Sequence, residues 1–554
     1  MNIPASDLPG QNELYTDYLY HFENLRKYFE YDYRSLEEIF KCIEYKKETY
    51  LNGKNFFRTE VTEILNDQNS AFCSGDKAFS NIRLLNDNNT FAIVTGQQTG
   101  LLTGPFYTIL KALNAIRLSE FLNDKFREFK FVPLFWMEAD DHDFKEINNI
   151  NLLTQDNKIQ NIEYLINGEE QDKYLKPASG IIFDNFINEF TNKIDELLQN
   201  SDFKNELMNN IRNFYKPGNN VVLAFAGFIN SLIGDRGLIL VNPSDARLKK
   251  FFKPVFKREL GTAPHSCEAV IDTSDELEAV YTAQIKPKVV NLFYIHEDNR
   301  YLIETRENEV YALKHSRQKF SKDELFALLE DHTERFSWNV VTRPVCQDYL
   351  FPTVAYIGGP SEIAYFAQLK NVYKIFEESM PVIYPRISVT ILENKVKNFM
   401  DKFNLTFAEL FNEKELARKL IAASSGPDLD SLFADMKEKL TGLFYSYEKE
   451  LGSIDENQTA SFTKRNKQFL DSLDVAKEKY LNLQTKKNEV ISGKLNMVSA
   501  NIYPGNNFQE RVVNIIYFLN KYGLNIINRL YEEIKIDDFT HQVITPEPEQ
   551  INSD

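Results

Sequence analysis

The densest group of reactive side chains in this sequence is an acidic cluster with one histidine, directly after an apolar run at residues 131–137. Carboxylates placed there could hold Mg²⁺ on a nucleotide or orient a substrate ammonium group, with the histidine as general base. The alternative is a solvated acidic loop. A single histidine without a second His or Cys at ligand spacing does not indicate zinc, so we predict no protein metal site. We predict three catalytic residues, Asp141, His142 and Asp143, and two substrate-binding residues, Glu138 and Asp140.

A glycine-spaced loop at residues 95–107 follows another apolar run, at residues 91–94. Glycines let backbone N–H groups approach an anion, and a helix beginning near Pro105 adds the positive end of its dipole. The spacing matches neither the Walker motif nor the dinucleotide fingerprint. A tight turn that needs positive φ is the structural alternative. The predicted substrate-binding residues of this loop are Gly96, Gln97, Gln98, Gly100, Gly104 and Tyr107.

A third polar group lies farther along the chain, around a short apolar strand at residues 354–357. Arg343 could clamp a carboxylate in bidentate fashion, although a buried structural Arg–Asp pair explains the pattern equally well. Arg386, at the end of a later strand, has the same two interpretations. We predict substrate binding by Arg343, Gln347, Asp348, Gly358, Gly359, Glu362 and Arg386.

All three polar groups come immediately before or after apolar runs, which indicates the elements that position them. Strand, glycine-rich turn, helix, strand and polar cluster is the order found in a doubly wound α/β sheet, whose ligands bind outside the carboxyl ends of the strands. A chain of 554 residues is too long for one hydrophobic core. We predict an α/β core over residues 1–388, with an N-terminal helical segment and insertions at about 150–340.

The pattern changes beyond residue 389, where apolar residues step by threes and fours among many charges, as from Leu429 to Leu451 and from Phe469 to Val490. Such heptad spacing predicts an antiparallel helical hairpin or coiled coil. We assign residues 389–500 to this helical domain, whose role is architectural or in dimerisation. Residues 501–554 are predicted to pack back on the α/β core.

Composition limits the possible partners and the compartment. A net charge of −17 argues against nucleic acid or an anionic membrane as the main partner, although a local basic pocket could still bind a small anion. Four cysteines without a short-spaced pair fit a reducing cytoplasm. The longest apolar run, at residues 221–229, is too short to span a membrane, and the N-terminus lacks the pattern of a signal peptide. We expect a cytoplasmic protein.

Several long motifs resemble one family, the bacillithiol biosynthesis cysteine-adding enzymes. The main ones cover residues 94–107, 133–148, 343–349 and 358–365, and shorter ones lie at 284–287, 291–294, 504–505 and 509–511. The resemblance extends over essentially the full length in the family's order. Ala139 and Ser361 stand where glycine is expected, and neither change touches a charged position.

This resemblance implies a Rossmann-like core with connecting insertions, a coiled-coil domain and a homodimer. It also implies the last step of bacillithiol synthesis, in which a cysteine ligase joins the cysteine carboxyl to the amine of glucosaminyl-malate. Amide formation from a free carboxylate requires activation, most simply as an acyl-adenylate made from ATP. No nucleotide motif in the sequence demands ATP, so this expectation comes from the chemistry alone, and Mg²⁺ would accompany it.

On this hypothesis the glycine loop binds phosphate or a substrate carboxylate, and residues 138–143 hold Mg²⁺ or the cysteine ammonium group. Arg343 or Arg386 would then bind the malate carboxylates. Two alternatives stay open: a nucleotidylyl transferase acting on another substrate, and a non-catalytic coiled-coil scaffold with a degenerate nucleotide-binding core. The polar residues at three separate strand ends argue against the scaffold, which has no use for them.

Overall fold

The computed structural model describes residues 1–49, 57–169, 174–307, 310–423 and 429–546 of the chain. Its internal contacts divide the chain into two units. The first, here called the core unit, comprises Met1–Gln155, Ile159–Ile391 and Gln509–Asp554. The second, the helical unit, comprises Asp156–Lys158 and Leu392–Phe508.

A five-stranded parallel sheet forms the centre of the core unit. In chain order its strands are β1 (Thr90–Gln98), β2 (Lys130–Glu138), β3 (Ile239–Val241), β4 (Thr353–Gly358) and β5 (Val382–Pro385). Their order across the sheet is β5-β4-β1-β2-β3, with every neighbouring pair parallel. The strands read as continuous apolar runs because both faces of such a sheet are covered. This is the strand order of a doubly wound Rossmann-like sheet, and the predicted fold class is confirmed.

Three helices matter most for the polar residues at the strand ends. Helix α1 (Tyr107–Lys125) follows β1 and packs against β1 and β2, α2 (Arg343–Leu350) precedes β4, and α3 (Pro360–Phe366) follows β4. The order of strands reverses between β1 and β4, so a crevice is expected where these two strands end. The other helices of the core unit are Glu13–Tyr20, Leu36–Thr49, Arg58–Ala71, Asp76–Leu84, Phe144–Ile147, Phe186–Leu197, Lys204–Phe214, Val221–Ile233, Ala246–Lys249, Lys253–Thr262, His265–Leu277, Lys322–Asp331, Lys370–Ile375, Gln509–Val512, Ile516–Tyr522 and Asn525–Glu533.

The insertion between β3 and β4 carries a second, antiparallel sheet. Its strand order is Lys319–Phe320, Tyr311–Leu313, Asn299–Thr305, Leu292–His296 and Phe336–Trp338. Each neighbouring pair is antiparallel. The first four strands in chain order form a meander, and the last strand, Phe336–Trp338, pairs with the first, Leu292–His296. Two small sheets complete the core unit. One is a hairpin of Asn149–Leu153 with Ile159–Glu163, and the other joins Asn2–Ile3, His541–Ile544 and Val389–Ile391.

The helical unit is built around two long helices, α4 (Leu429–Gly452) and α5 (Glu456–Lys487). They run antiparallel, because residues early in α4 meet residues late in α5. Phe433 contacts Tyr480, and Phe444 contacts Phe469. The predicted coiled-coil domain is therefore confirmed. Its other helices are Asn394–Phe403, Glu413–Ala423 and Glu489–Ile502. Across the described ranges, no helix combines the length and the apolar character needed to span a lipid bilayer.

Candidate functional site

A cavity of about 700 Å³ opens at the carboxyl ends of β1, β2 and β4. It lies at the reversal of strand order, where a doubly wound sheet binds its ligands. The antiparallel sheet of the insertion supplies a further part of its wall, including Phe293, Arg300 and Trp338. The predicted residues that line the cavity are Gly96, Gln97, Gln98, Tyr107, Glu138, Asp141, His142, Arg343, Gly359, Glu362 and Arg386.

Seven predicted residues are not part of the cavity wall that the described chain forms: Gly100, Gly104, Asp140, Asp143, Gln347, Asp348 and Gly358. Gly100 and Gly104 belong to a buried turn, in which Gly104 has a φ of +66° and the N–H of Leu102 donates to the hydroxyl of Tyr215. This part of the loop fits the structural alternative, since its geometry serves the turn.

Three polar side chains of this set, of Asp140, Gln347 and Asp348, form contacts inside the protein, whereas Asp143 is exposed to solvent. Asp140 is buried and pairs with Lys249, with 2.6 Å between the carboxylate and the ammonium nitrogen. Gln347 donates to Asp348 at 2.8 Å, and Asp348 also accepts from the hydroxyl of Tyr373 at 2.5 Å. Such contacts support the wall of the cavity from behind.

Lys111 and Glu362 form a buried ion pair that joins the end of β1 to α3. The Lys111 ammonium lies 2.6 Å from Glu362 and donates to the carbonyl of Gly96 at 2.8 Å and to the side-chain oxygen of Gln97 at 3.0 Å. Burial lowers the pKa of Lys111, against the attraction of Glu362. All three ammonium hydrogens therefore have an acceptor. Lys111 acts as a brace between the two sides of the crevice.

Glu138 is the carboxylate with the most unusual surroundings. Its two oxygens accept hydrogen bonds from the two tryptophans of the chain, from Trp136 at 3.1 Å and from Trp338 at 2.7 Å. Burial raises the pKa of Glu138 from 4.5 to about 7, against the opposing effect of Arg343. A carboxylate with a pKa near 7 that faces a cavity can accept a proton during a reaction at neutral pH.

Asp141 organises the loop that follows β2. It accepts from Gln98 at 2.6 Å and from the backbone N–H of His142 at 2.7 Å, and it lies 3.5 Å from the guanidinium of Arg300. Burial raises the pKa of Asp141, but Arg300 and these hydrogen bonds hold it below its ordinary value. Asp141 is thus ionised at neutral pH.

Arg300 also determines the state of His142. Its guanidinium lies 3.1 Å from Nδ1 of His142, and since an arginine only donates, Nδ1 is the acceptor. Burial and the charge of Arg300 lower the pKa of His142. A neutral His142 consequently carries its hydrogen on Nε2, and this nitrogen is a donor. The base role predicted for His142 would require Arg300 to move away.

Arg343 projects from α2 into the cavity and is held by neighbouring aromatic and amide groups. It donates to Gln347 at 3.0 Å and to the hydroxyl of Tyr365 at 3.2 Å, and its guanidinium lies 5.1 Å from the ring centre of Tyr356. The structure does not pair Arg343 directly with Asp348, because Gln347 stands between them. Arg343 is therefore oriented without a direct ion pair in the described chain.

Several residues of the cavity have no place in the sequence-based prediction. Two features of the sequence could have indicated some of them. Lys111 is a charged residue within an otherwise apolar helical window, and the chain has only two tryptophans, Trp136 and Trp338. Arg300 and Trp338 come from distant strands of the antiparallel sheet, whose pairing no local pattern indicates. Seven cationic side chains line the cavity against three carboxylates: Lys111, Lys286, Lys288, Arg300, Arg343, Arg386 and Arg511. The cavity is therefore basic within an acidic protein.

Within the described ranges, the protein contains no group of three or more His, Cys, Asp and Glu side chains arranged to hold a metal ion.

Comparison with known proteins gives two family matches that together cover almost the whole chain. The model described as "Bacillithiol biosynthesis BshC, N-terminal Rossmann-like domain" matches residues 1–387. The model described as "Bacillithiol biosynthesis BshC, C-terminal coiled-coil domain" matches residues 389–546.

Individual relatives agree with these matches. A protein of Salinibacter ruber named "Putative cysteine ligase BshC" is 31% identical over 98% of this chain and 97% of its own length. Proteins with the same name from Chloroherpeton thalassium and Chlorobaculum tepidum are each 33% identical, over 97% and 94% of this chain and 95% and 94% of their own lengths. A solved structure from Campylobacter jejuni, titled a putative arginyl tRNA synthetase, has 11% identity and a TM-score of 0.21, covers 86% of this chain and 98% of its own chain, and supports no argument.

Proposed function

Since the chain belongs to the bacillithiol biosynthesis BshC family, we propose that it is a cysteine ligase that forms an amide between the cysteine carboxyl and the amine of glucosaminyl-malate. One observation carries the proposal. Of the three carboxylates that line the basic cavity at the reversal of strand order, Glu138 has a pKa raised to about 7, which suits proton transfer from an amine. The reaction needs anion binding for malate and a base for the attacking amine, and the cavity offers both.

The malate carboxylates are proposed to bind Arg343 and Arg386. Both guanidinium groups are buried and line the cavity. A guanidinium forms charge-assisted hydrogen bonds with a carboxylate, and its interaction with an anion is strengthened where water is excluded. Tyr107 lies beside Arg386, with 5.6 Å between the guanidinium and the centre of the ring. The hydroxyl of Tyr107 accepts from Gln97, which leaves its own hydrogen available to an anion.

Glu138 is the proposed general base in place of His142. Its carboxylate faces the cavity and is oriented by two indole donors, so it needs no rearrangement before it accepts a proton. His142 would instead donate a hydrogen bond from Nε2 to a developing negative oxygen. Asp141, which is held ionised, is the proposed partner of the cysteine ammonium group.

ATP is proposed as the co-substrate, because the free carboxylate of cysteine does not react with an amine unaided. The cationic lining fits a polyphosphate, with Lys286, Lys288 and Arg511 as candidate contacts. When bound, ATP supplies the free energy that activates the carboxylate. Any Mg²⁺ would be held largely by phosphate oxygens and water, as is usual for this ion.

The helical unit is proposed to form a homodimer. Large apolar side chains on its two long helices are exposed, with half of Leu443 and 56% of Tyr480 accessible to solvent. Isolated apolar residues on a surface need no explanation, but a row of them along a helical hairpin suits pairing with a second copy.

The proposed function is tested by supplying purified protein with cysteine, glucosaminyl-malate and ATP. Mass spectrometry should detect bacillithiol only when all three substrates are present. A mixture without ATP, a mixture in which serine replaces cysteine, and a Glu304→Gln protein serve as controls, since Glu304 pairs with Arg306 away from the cavity. Absence of product with ATP, and also with added cell lysate, would rule the proposal out.

A further inference from the structure

The core unit contains a buried hydrogen-bonded junction at the point where the chain leaves it, after Ile391, and returns to it, at Gln509. The side chain of Gln509 accepts from the N–H of Ile391 at 2.8 Å and donates to the carbonyl of Ile391 at 3.0 Å. The side-chain amide of Gln509 thus makes the same two hydrogen bonds to Ile391 that the backbone of a neighbouring strand would make. Gln509 thereby fixes the position of the residue after it, Glu510.

Glu510 is almost fully buried, with 1% of its side chain exposed. One carboxylate oxygen lies 2.5 Å from the guanidinium of Arg386 and accepts from the hydroxyl of Ser388 at 3.1 Å, and the other accepts from the N–H of Val389 at 2.7 Å. Burial raises the pKa of Glu510, but the charge and hydrogen bond of Arg386, together with the N–H of Val389, outweigh burial and the net pKa is lowered. Glu510 is thus a charged residue, and hydrogen bonds to both of its oxygens fix its position.

The C-terminal strand closes the junction from the other side. His541, on the strand His541–Ile544, is 1% exposed. Its two ring nitrogens lie 2.8 Å from the hydroxyls of Ser388 and Thr390. A neutral imidazole provides one donor and one acceptor, which two hydroxyl groups can satisfy. Residues from the last part of the chain therefore enclose Glu510.

Arg386 is the member of this network that reaches the cavity. One terminal nitrogen is taken by Glu510, and the other donates to the carbonyl of Ile387 at 3.0 Å. Its Nε is buried and has no hydrogen-bond partner in the described chain. This nitrogen lies 3.7 Å from the position that a Cβ on Gly359 would take, and Gly359 lines the cavity. A buried donor that is left unpaired here points to a ligand acceptor.

A second carboxylate competes for Arg386. Glu362 lies on the same side of the cavity, with its oxygen 3.5 Å from that Cβ position on Gly359, and its charge also acts on Arg386. If Arg386 paired with Glu362 instead, the donor that faces the cavity would be taken by a protein carboxylate and would not be available to an incoming anion. The contact with Glu510 fixes the guanidinium so that its remaining donor, Nε, lies beside Gly359 in the cavity wall.

We propose that Glu510 is the positioning residue of the anion subsite, holding Arg386 in the orientation that binds a carboxylate of the substrate. This inference rests on the proposed function for the identity of that substrate. It assigns a role in substrate binding to the segment by which the chain returns to the core unit, although Glu510 itself does not line the cavity.

The test is calorimetric titration of glucosaminyl-malate into four full-length proteins: wild type, Glu510→Gln, Arg386→Met and the double variant. We expect Glu510→Gln to raise Kd by about 10- to 100-fold, which corresponds to the usual coupling between residues in direct contact. In the Arg386→Met background, Glu510→Gln should change Kd by less than about two-fold, because Glu510 acts through Arg386. The Glu120→Gln protein is the matched control, since Glu120 contacts Arg117 and Tyr531 away from the cavity.

The outcomes separate this inference from the proposed function. No binding of glucosaminyl-malate to the wild-type protein contradicts the proposed function. Wild-type binding that Glu510→Gln leaves unchanged, or an equal loss in both backgrounds, overturns the positioning role alone. If Glu510→Gln does not fold, Glu510→Asp keeps the charge but shortens the reach. It should raise Kd by about five-fold, and an unchanged Kd would count against the inference.

Discussion

Replacing Glu138 by glutamine removes a titratable group and one acceptor while keeping the shape of the side chain. Both oxygens of Glu138 accept from indole N–H groups, of Trp136 and Trp338. A glutamine has only one oxygen, so one indole donor would face an NH₂ group. The cost of leaving a buried donor without an acceptor is about 1–3 kcal/mol in the free energy of unfolding.

Ionisation of Glu138 acts in the opposite direction, because it lowers the stability of the wild-type protein and not that of the variant. The folded protein raises the pKa of Glu138 from 4.5 to about 7, so the folded state binds more protons than the unfolded state between these values. The contribution of Glu138 to stability is therefore present below pH 4.5 and is lost as the pH rises through 7. The shift corresponds to a loss on the order of 3 kcal/mol, which the Glu138→Gln protein cannot undergo. Chemical denaturation should show the variant clearly less stable at pH 5 and close to wild type at pH 8.

Activity provides the second measurement. A general base must be deprotonated, so kcat/KM of the wild-type protein should rise with pH and level off above about 7. Loss of a general base lowers the rate by about 10²- to 10⁴-fold, and the variant should also lack this rising limb. The fluorescence of the two tryptophans should titrate with the same midpoint in the wild type and not in the variant. Retention of a third of the activity with an unchanged pH profile would refute the role of Glu138.

Three further predictions follow from buried and exposed groups elsewhere. Lys111→Met removes the cation beside Glu362, which is 18% exposed and keeps two hydrogen-bond donors, and should lower the free energy of unfolding by about 1–3 kcal/mol, measured by denaturation, whereas exposed Lys125→Met should not. Burial lowers the pKa of His541 from 6.5 to about 4, so the contribution of His541 to stability, on the order of 3 kcal/mol, is lost as the pH falls through this interval. The difference in free energy of unfolding between wild type and His541→Gln should therefore change by this amount between pH 7 and pH 4, and a difference that does not depend on pH would contradict the assignment. Leu443→Glu should convert the proposed dimer to a monomer in light scattering, and an unchanged mass would exclude this face.

The sequence predicts the parallel sheet well because each of its strands is a short apolar run with a polar or glycine-rich end. Glu138 and Gln97 were predicted as site residues for the same reason, since they stand where strands end. Glycine spacing is less informative. Gly96 lines the cavity but Gly104 serves a buried turn, and both roles require the same residue type.

The rest of the site depends on contacts between distant segments. Arg300 and Trp338 reach the cavity through an antiparallel sheet whose register no single strand reveals. The sequence predicts a base role for His142 because it does not show that Arg300 lies beside the ring. Arg300 donates to Nδ1, so the hydrogen of the neutral ring is on Nε2, which is then a donor. The identity of the family, by contrast, was predicted from long motifs and is confirmed.

The most direct test of the account follows heavy oxygen from the carboxyl group of cysteine. Cysteine labelled with ¹⁸O at both carboxyl oxygens is incubated with the protein, glucosaminyl-malate and ATP, and the products are analysed by mass spectrometry. The account predicts bacillithiol that keeps one heavy oxygen in its new amide, with the other in a phosphate-containing product of ATP. Absence of bacillithiol, or bacillithiol formed without label in any product of ATP, would contradict it.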